Sequence, residues 1–219
     1  MAKRWFTSDF HLGFSALLEI EKWPFKSIEK HDQALIRSCR ERAKPDDTII
    51  HVGDLASVGM DRHNGLNSKG LDIKPAEMLA GIEATFVNIR GNHDISNKVK
   101  SLCDSMRTSL GRRYPNVSVS HFPSYDKRAA GQYLDGDVHI CGHVHNRWKY
   151  CLDLDHSVLN VNVGCMAWKF QIVSEDELIQ FITKTMSHHP DTLYRCKTTD
   201  GKLRFFRENT QERKNDEQT

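Results

Sequence analysis

The sequence predicts an α/β fold, and three observations indicate this class. Short β-branched or apolar runs, typical of buried strands, recur along the chain. Between several of them lie stretches that carry apolar residues at helical spacing. Clusters of Asp, His and Asn follow most of the strand-like runs, and open α/β sheets place their ligand sites just beyond the carboxyl ends of their strands. With 219 residues, the chain is long enough for one sizeable domain.

The first half of the chain is predicted to alternate strands with helices. Residues 3–8 form the first buried strand. In residues 28–43 apolar positions recur at roughly helical spacing, and the Lys-Pro-Asp-Asp run that follows ends this helix. Residues 48–53 form a second strand, and a short helix around 75–81 leads to a third strand over 85–90.

Two longer helices are predicted in the second half. One spans residues 96–110, with Ser96 as its N-cap. The other runs to about Met186. It begins with a capping-box pattern, in which Ser174 is followed three residues later by Glu177.

Strands are also predicted in this half, over residues 116–121, 137–141 and 157–164, with an edge strand over 193–206. Because the connections between them are short, we expect the later strands to be antiparallel. No internal repeat or clear linker divides the sequence, which favours a single domain over residues 1–206. Residues 207–219 are almost wholly polar and are predicted to be a disordered tail.

The composition favours a cytoplasmic protein and leaves its partner open. A net charge of +2 neither demands nor excludes a polyanionic ligand. The six cysteines form no C-x-x-C pair and are interpreted as reduced, mostly buried residues. No apolar stretch typical of a signal peptide follows the first five residues, and no apolar run approaches the roughly 20 residues that span a bilayer. We therefore expect no membrane partner, and the oligomeric state stays open.

The Asp, His and Asn clusters are predicted to build a metal centre. In chain order they are Asp9-Phe10-His11, Gly53-Asp54, Gly91-Asn92-His93-Asp94, His121 and Gly142-His143-Val144-His145. Asp9 and His11 are two residues apart, so both side chains point to one face of a strand, and His143 and His145 repeat that spacing. The carboxylate of Asp54 has two oxygens and suits a bridging role. Nitrogen and oxygen ligands without thiolate suit Mn²⁺, Fe or Zn²⁺, and two such ions about 3.5–4 Å apart can clamp a phosphoryl group.

This ordered set of motifs resembles the calcineurin-like metallophosphoesterase superfamily. All five motifs are present, and the surrounding residues are similar to the small single-domain bacterial and phage members over roughly residues 3–183. The resemblance implies a four-layer α/β/β/α sandwich, in which two mixed sheets are flanked by helices. It also implies a dinuclear metal site at one edge of the two sheets.

The resemblance further implies a role for each motif residue. One metal would be held by Asp9, His11, Asp54 and His145, and the other by Asp54, Asn92, His121 and His143. His93 would lie over the site as the general acid, and Asn92 and His93 would contact the substrate. The cofactors would be two divalent ions, with Mn²⁺ favoured over Fe, Zn²⁺, Ni²⁺ and Mg²⁺. In-line attack by a metal-bound hydroxide on phosphorus would follow, so no Ser or Cys nucleophile is needed.

The substrate is less well defined than the reaction. A small nucleotide or another phosphomonoester or phosphodiester is the favoured substrate, and a nuclease that acts on DNA or RNA is the alternative. A non-catalytic, protein-binding scaffold of the same fold is an alternative from another class. Loops over 12–27, 57–75 and 123–135 are candidates for setting specificity.

Two features near the motifs allow two interpretations each. Asp94 either orients His93 or closes the turn and caps the helix predicted from residue 96. The run Arg147-Trp148-Lys149-Tyr150 mixes basic and aromatic residues, which suits either a nucleotide contact or a solvated hairpin strand. We favour the hairpin strand.

Overall fold

A computed structural model of the chain describes residues 2–56, 75–96, 99–133, 138–153, 155–156, 158–187, 197–199 and 202–204. The strands are β1 (Arg4–Thr7), β2 (Thr48–His51), β3 (Thr85–Asn88), β4 (Ser105–Leu110), β5 (Tyr114–Ser120), β6 (Val138–Cys141), β7 (Tyr150–Asp153), β8 (Val158–Asn162), β9 (Val173–Ser174), β10 (Lys197–Thr199) and β11 (Lys202–Arg204). The helices are α1 (Ala16–Ile20), α2 (Ile28–Arg42), α3 (Pro75–Met78), α4 (Asn92–Ser96) and α5 (Glu175–Ser187). Lys127–Ala129 and Cys165–Trp168 form 3-10 helices.

Two mixed sheets form the centre of the fold, which confirms the predicted α/β class. The first has the strand order β3-β2-β1-β9, in which β1, β2 and β3 are parallel and β9 is antiparallel to β1. The second has the order β4-β5-β6-β8-β7, with β5, β6 and β8 parallel and an antiparallel strand at each edge. The parallel strands of both sheets therefore provide carboxyl ends at which ligands can be placed.

The prediction that the later strands are antiparallel is wrong for two of the three pairings. Val119 of β5 lies opposite Ile140 of β6 in a parallel register, and Ile140 lies opposite Val161 of β8 in another. The reason is that β7 lies between β6 and β8 in the chain but takes the sheet edge, so β8 returns in the direction of β6. The interpretation of residues 147–150 as a solvated hairpin strand is only partly correct, because Tyr150 begins β7 and pairs with β8 but Trp148 is buried before the strand.

Successive side chains of β1 face different layers. Phe6 belongs to a buried cluster that joins Ile140 of the second sheet and Leu178 of α5. Trp5 faces the other way and packs in a cluster with Leu35 of α2. Burial of each such side chain contributes about 1.5–3 kcal/mol, so these two clusters hold α2 and the second sheet against opposite faces of the first.

The two long helices begin as their sequences predict. Ser27 is the N-cap of α2 and accepts a hydrogen bond from the amide of Lys30. At the start of α5, the carboxylate of Glu177 accepts from the amide of Ser174 at 2.7 Å, and the hydroxyl of Ser174 accepts from the amide of Glu177 at 3.2 Å. This reciprocal pair is the predicted capping box. α5 contacts strands of both sheets.

The helix predicted over residues 96–110 is wrong. The chain forms α4 before it and then β4, which pairs antiparallel with β5. Met106 packs against the inner core and Leu110 is fully buried, whereas Leu102 is 72% exposed. Pairing with β5 supplies β4 with backbone hydrogen bonds and a buried face, and this tertiary contact outweighs the local helical spacing.

Several smaller predictions have different outcomes. Cys39, Cys103, Cys141 and Cys165 are free, but Cys151 is disulfide-bonded, so the prediction of reduced cysteines is wrong at that residue.

β10 and β11 form a separate two-stranded sheet in place of the edge strand predicted over 193–206. Residues 57–74 and the tail 207–219 lie outside the described residues, and the single domain over 1–206 stays a prediction. None of the helices in the described ranges has the length and hydropathy that a membrane span requires.

Candidate metal centre

The predicted ligands come together because they follow strands that end at one edge of the two sheets. Asp9 and His11 follow β1, Asp54 follows β2, Asn92 begins α4 after β3, His121 follows β5, and His143 and His145 follow β6. The first two loops continue side by side beyond their strands. The amide of Asp9 donates to the carbonyl of Gly53 at 3.0 Å, and the amide of His11 donates to the carbonyl of Asp54 at 3.0 Å.

Five of the seven predicted ligands have a left-handed backbone conformation. Their φ angles are 57° for Asp9, 44° for His11, 60° for Asp54, 70° for His143 and 50° for His145. Each such conformation costs a non-glycine residue on the order of 1–2 kcal/mol. Strain of this kind persists only where the surrounding structure over-determines it, and it clusters at functional sites. These loops are shaped by the site more than by local preference.

Two motif glycines allow the backbone to approach the carboxylates closely. A Cβ atom on Gly91 would overlap the side chain and amide of Asp54. A Cβ on Gly142 would overlap the hydroxyl of Ser8 and lie 2.6 Å from Oδ2 of Asp9. The glycines of G-N-H-D and G-H-x-H are therefore required for close packing.

The first group of donors contains Asp9, His11 and His145, with Asp54 beside it. Nε2 of His11 lies 4.0 Å from Oδ1 of Asp9 and 3.7 Å from Oδ2 of Asp54. Nε2 of His145 lies 3.9 Å from Oδ1 of Asp9. These separations are too long for hydrogen bonds, and they suit donors that face a shared ion.

His11 provides the test of whether this group fits a metal ion. Its side chain is 1% exposed, and among the described residues neither ring nitrogen has a hydrogen-bond partner. An unsatisfied buried polar atom costs about 1–3 kcal/mol, so such an atom requires an explanation. A cation bound at one of the ring nitrogens would explain the missing hydrogen bonds. The residues present therefore fit a metal.

The second group contains Asp54, His121 and His143, with Asn92 beside it. Nδ1 of His121 donates to the carbonyl of Val52 at 2.8 Å, which leaves Nε2 directed toward the site. That nitrogen lies 3.2 Å from Oδ2 of Asp54 and 3.1 Å from Oδ1 of Asn92. Three electron-pair donors therefore converge, and a cation satisfies all of them.

Electrostatics couples the carboxylates and histidines of the centre. Burial opposes ionisation of Asp54, but the surrounding histidines, His121 first, outweigh it and hold the pKa of Asp54 well below its usual range. Burial likewise opposes protonation of His121, but Asp54 outweighs it and raises the pKa of His121 to about 9. A bound divalent cation would replace that proton.

Three further donors have pKa values that are shifted mainly by burial. Burial raises the pKa of the Asp9 carboxyl, although His121 and His145 oppose the shift. Burial also lowers the pKa of His11 well below its usual range. His143 has its pKa lowered to about 3 by burial first, and then by the charges of His121 and Arg128. Neutral imidazoles of this kind carry the lone pair that a metal ligand needs.

Asp94 closes its turn, as one of the two interpretations predicts, but the helix that it would cap from residue 96 is replaced by β4. Its carboxylate accepts from the amides of Asp54 at 3.0 Å, Leu55 at 2.9 Å and Gly91 at 2.8 Å. It therefore closes the G-N-H-D turn and also ties that turn to the loop after β2. This contact fixes the position of Asp54 relative to Asn92.

His93 lies at the rim of the same centre. Its amide donates to Oδ1 of Asp54 at 2.8 Å, and its ring centroid is 5.0 Å from that of His11. A donor atom of its ring lies within 4.8 Å of donor atoms of His11 and Asp54, so His93 completes a third potential ligand group. The role of His93 as the general acid stays a prediction.

Glu21 and Arg128 are charged residues outside the motifs that also contact the predicted ligands. Glu21, at the end of α1, accepts a hydrogen bond from Nδ1 of His145 at 2.8 Å. Arg128 donates from Nη2 to Nε2 of His143 at 2.9 Å, a bond that uses the single lone pair of the neutral imidazole and that a metal ion on His143 would replace. The only sequence signal for them is that they lie in the loops 12–27 and 123–135, which were named as candidates for specificity.

Comparison with known proteins matches most of the chain to one family. The model of the calcineurin-like phosphoesterase superfamily domain matches residues 5–179. The chain is 25% identical over 202 residues to the Gene 66 protein of Mycobacterium phage L5, which covers 83% of this chain and 95% of that protein. It is 26% identical over 208 residues to the Gene 66 protein of Mycobacterium phage D29, with 83% and 96% covered.

A solved structure shows the same fold. The protein of unknown function AQ665 from Aquifex aeolicus superposes with a TM-score of 0.61 at 19% identity, and the match covers 83% of this chain and 100% of that one. The family model extends over most of the described sheets and includes every predicted ligand. The chain belongs to the calcineurin-like phosphoesterase superfamily.

Proposed function

We propose that this protein is a dinuclear metal-dependent phosphoesterase that hydrolyses a small phosphomonoester or phosphodiester, with a nucleotide as the favoured substrate. One metal site consists of Asp9, His11, Asp54 and His145. The other consists of Asp54, Asn92, His121 and His143. We further propose that Mn²⁺ is the native metal and that the protein is cytoplasmic.

The observation that carries the proposal is the convergence of Asp, His and Asn donors around Asp54. Oδ2 of Asp54 lies 3.7 Å from Nε2 of His11 and 3.2 Å from Nε2 of His121, so one carboxylate faces both donor groups. A carboxylate in that position suits a bridge between two cations. The ring nitrogens of His11, which have no hydrogen-bond partner in the part of the chain that the structure describes, support the same proposal.

The metal ions and the residues at the rim would have different roles in the reaction. When bound, the two ions would neutralise charge on the phosphoryl oxygens and activate a water molecule. Asn92 and His93, at the start of α4, would contact the phosphoryl group from the rim. The imidazole of His93 would protonate the leaving oxygen. The donation from the His93 amide to Asp54 fixes this residue against the metal-binding carboxylate.

A metal-reconstituted assay of the full chain tests the proposal. Protein loaded with Mn²⁺ would be compared on an aryl phosphate, a bis-aryl phosphate, nucleoside monophosphates, cyclic nucleotides, and short DNA and RNA. We expect turnover of a small ester that is abolished by chelation and restored by divalent metal. Preferential cleavage of DNA or RNA would favour the nuclease alternative, to which the net charge of +2 adds no support.

The protein-binding scaffold is the alternative from a different class. A scaffold would keep the fold without binding two ions or turning over any ester. Metal analysis of the purified protein separates the two hypotheses, because the phosphoesterase requires two equivalents of divalent ion. Failure to bind metal together with absence of turnover would support the scaffold.

A further inference from the structure

A cavity lies beside the metal centre on the side of His143. It has a volume of about 330 Å³, and its lining includes Asn92, Phe122, Arg128 and Gln132. This volume is at the lower end of the range for small-molecule sites. Since Asn92 belongs to the proposed centre, a molecule in the cavity would reach the phosphoryl position.

Two arginines line this cavity. Arg90 is paired with Asp104 at 2.7 Å, whereas Arg128 contacts the metal centre. Its Nη2 donates to Nε2 of His143 at 2.9 Å, and its guanidinium carbon lies 4.0 Å from the ring centroid of Phe122. Because an arginine guanidinium stays protonated in proteins, Arg128 is a permanent positive charge at the rim.

The segment that carries Arg128 is held in place before any ligand binds. Asp126 caps the 3-10 helix by accepting from the amide of Arg128 at 2.9 Å, and it also accepts from Nε of Arg128 at 2.9 Å. Ser124 anchors the segment to the second sheet, because its amide donates to Asn160 at 2.8 Å and its hydroxyl donates to Asp153 at 2.8 Å. Such pre-organisation reduces the entropy lost when a ligand binds.

Two groups in the cavity still have hydrogen-bonding capacity. Asp126 accepts from Nε and Nη2 of Arg128, and Nη1 has no partner within the described ranges. The second N–H of Nη2 contacts His143, and it would be released when His143 binds a metal. Oε1 of Gln132 is buried and has no hydrogen-bond partner among the described residues. The cavity therefore offers donors to an anion and one acceptor to a hydroxyl or amine of the group attached to it.

We propose that Arg128 binds a non-bridging oxygen of the substrate phosphoryl group and thereby favours phosphomonoesters over phosphodiesters. This inference rests on the proposed function. A monoester has three non-bridging oxygens and a diester has two, so a donor at the rim, in addition to those of the metal centre, contributes more to a monoester. The planar fork of arginine suits phosphate oxygens, and charge-assisted hydrogen bonds of this kind are about twice as strong as neutral ones.

The experiment compares wild type, Arg128→Ala and Arg128→Gln as full chains loaded with Mn²⁺, with Lys127→Ala as the matched control. Lys127 is the neighbouring exposed cation of the same 3-10 helix, and it does not line the cavity. Calorimetry would measure the affinity for inorganic phosphate, and metal analysis would measure bound Mn²⁺. Rates would be compared on an aryl phosphate and a bis-aryl phosphate.

For both Arg128 variants we expect unchanged metal content and phosphate binding that is weaker by about 10- to 100-fold. The value of kcat/KM for the aryl phosphate should fall by a similar factor, while that for the bis-aryl phosphate changes less than about threefold. Lys127→Ala should behave as wild type. Wild-type phosphate affinity in both Arg128 variants, or equal losses on both esters, would overturn the inference while the proposed function stands. A wild-type protein without metal or turnover would overturn both.

Discussion

The carboxylate of Glu21 accepts a hydrogen bond from Nδ1 of His145 at 2.8 Å, across 124 residues of sequence. The bond places the proton on Nδ1 and leaves Nε2, which lies 3.9 Å from Oδ1 of Asp9, available to a metal ion. A carboxylate that accepts a hydrogen bond from the second ring nitrogen of a histidine ligand fixes the tautomer of that histidine and raises its basicity. Glu21 therefore orients one ligand of the first metal site.

We expect Glu21→Gln to weaken one of two Mn²⁺ sites by about 10- to 100-fold, because the neutral amide holds His145 less firmly. Competition titration with a chelator would measure the two affinities. Glu19→Gln is the control, since Glu19 is exposed on the same short helix. Equal affinities in Glu21→Gln and wild type would show that the contact does not support metal binding.

The sequence reveals site residues that belong to a local motif, and it misses those that act only through contacts between distant segments. The seven ligands could be found because each lies within a few residues of a strand end, where the motif itself is the signal. Glu21 and Arg128 act through contacts between distant segments, with no local pattern to mark them.

The same reasoning explains the errors in the fold. Residues 28–43 have helical spacing, and α2 buries that face against the first sheet, so local pattern and tertiary structure agree. In residues 96–110 the local pattern also suggests a helix, but pairing with β5 determines the outcome. Strand direction in the second sheet depends on which strand takes the edge, and short connections alone do not determine it.

Asp54→Asn should abolish activity and remove both metal ions. Asn keeps the shape of the side chain but removes the negative charge that faces His11 and His121. Metal analysis after gel filtration would measure this loss, with Asp46→Asn as an exposed control on the preceding turn. Two tightly bound ions with normal turnover in Asp54→Asn would refute the bridging role.

The capping box of α5 predicts a dependence of stability on pH. Burial opposes ionisation of Glu177, but hydrogen bonds from Ser174 and the nearby Arg42 outweigh it and lower its pKa. A lowered folded-state pKa contributes stability that is present above the unfolded-state value, about 4.3, and is lost as pH falls through the folded-state value.

Glu177→Gln should therefore destabilise the protein by about 1 kcal/mol or less at pH 7, and the difference should shrink below about pH 4. The effect is modest because the side chain is 42% exposed and solvent screens its pairing with Arg42. Urea denaturation at several pH values would measure it. Asp176→Asn is the control, because that side chain is 70% exposed. A difference that does not vary with pH would mean that the charge of Glu177 plays no part.

His93→Ala should slow hydrolysis by about 10²- to 10⁴-fold while both metal ions stay bound. The reason is that the His93 ring lies at the rim, whereas its amide, which donates to Asp54, is retained in the variant. If the imidazole protonates the leaving oxygen, the loss should be largest for esters with a poor leaving group. It should shrink for aryl phosphates whose phenolate leaves readily. A series of substituted aryl phosphates, with metal analysis of the same samples, separates this role from ligation, because departure of one metal ion from His93→Ala would identify His93 as a ligand.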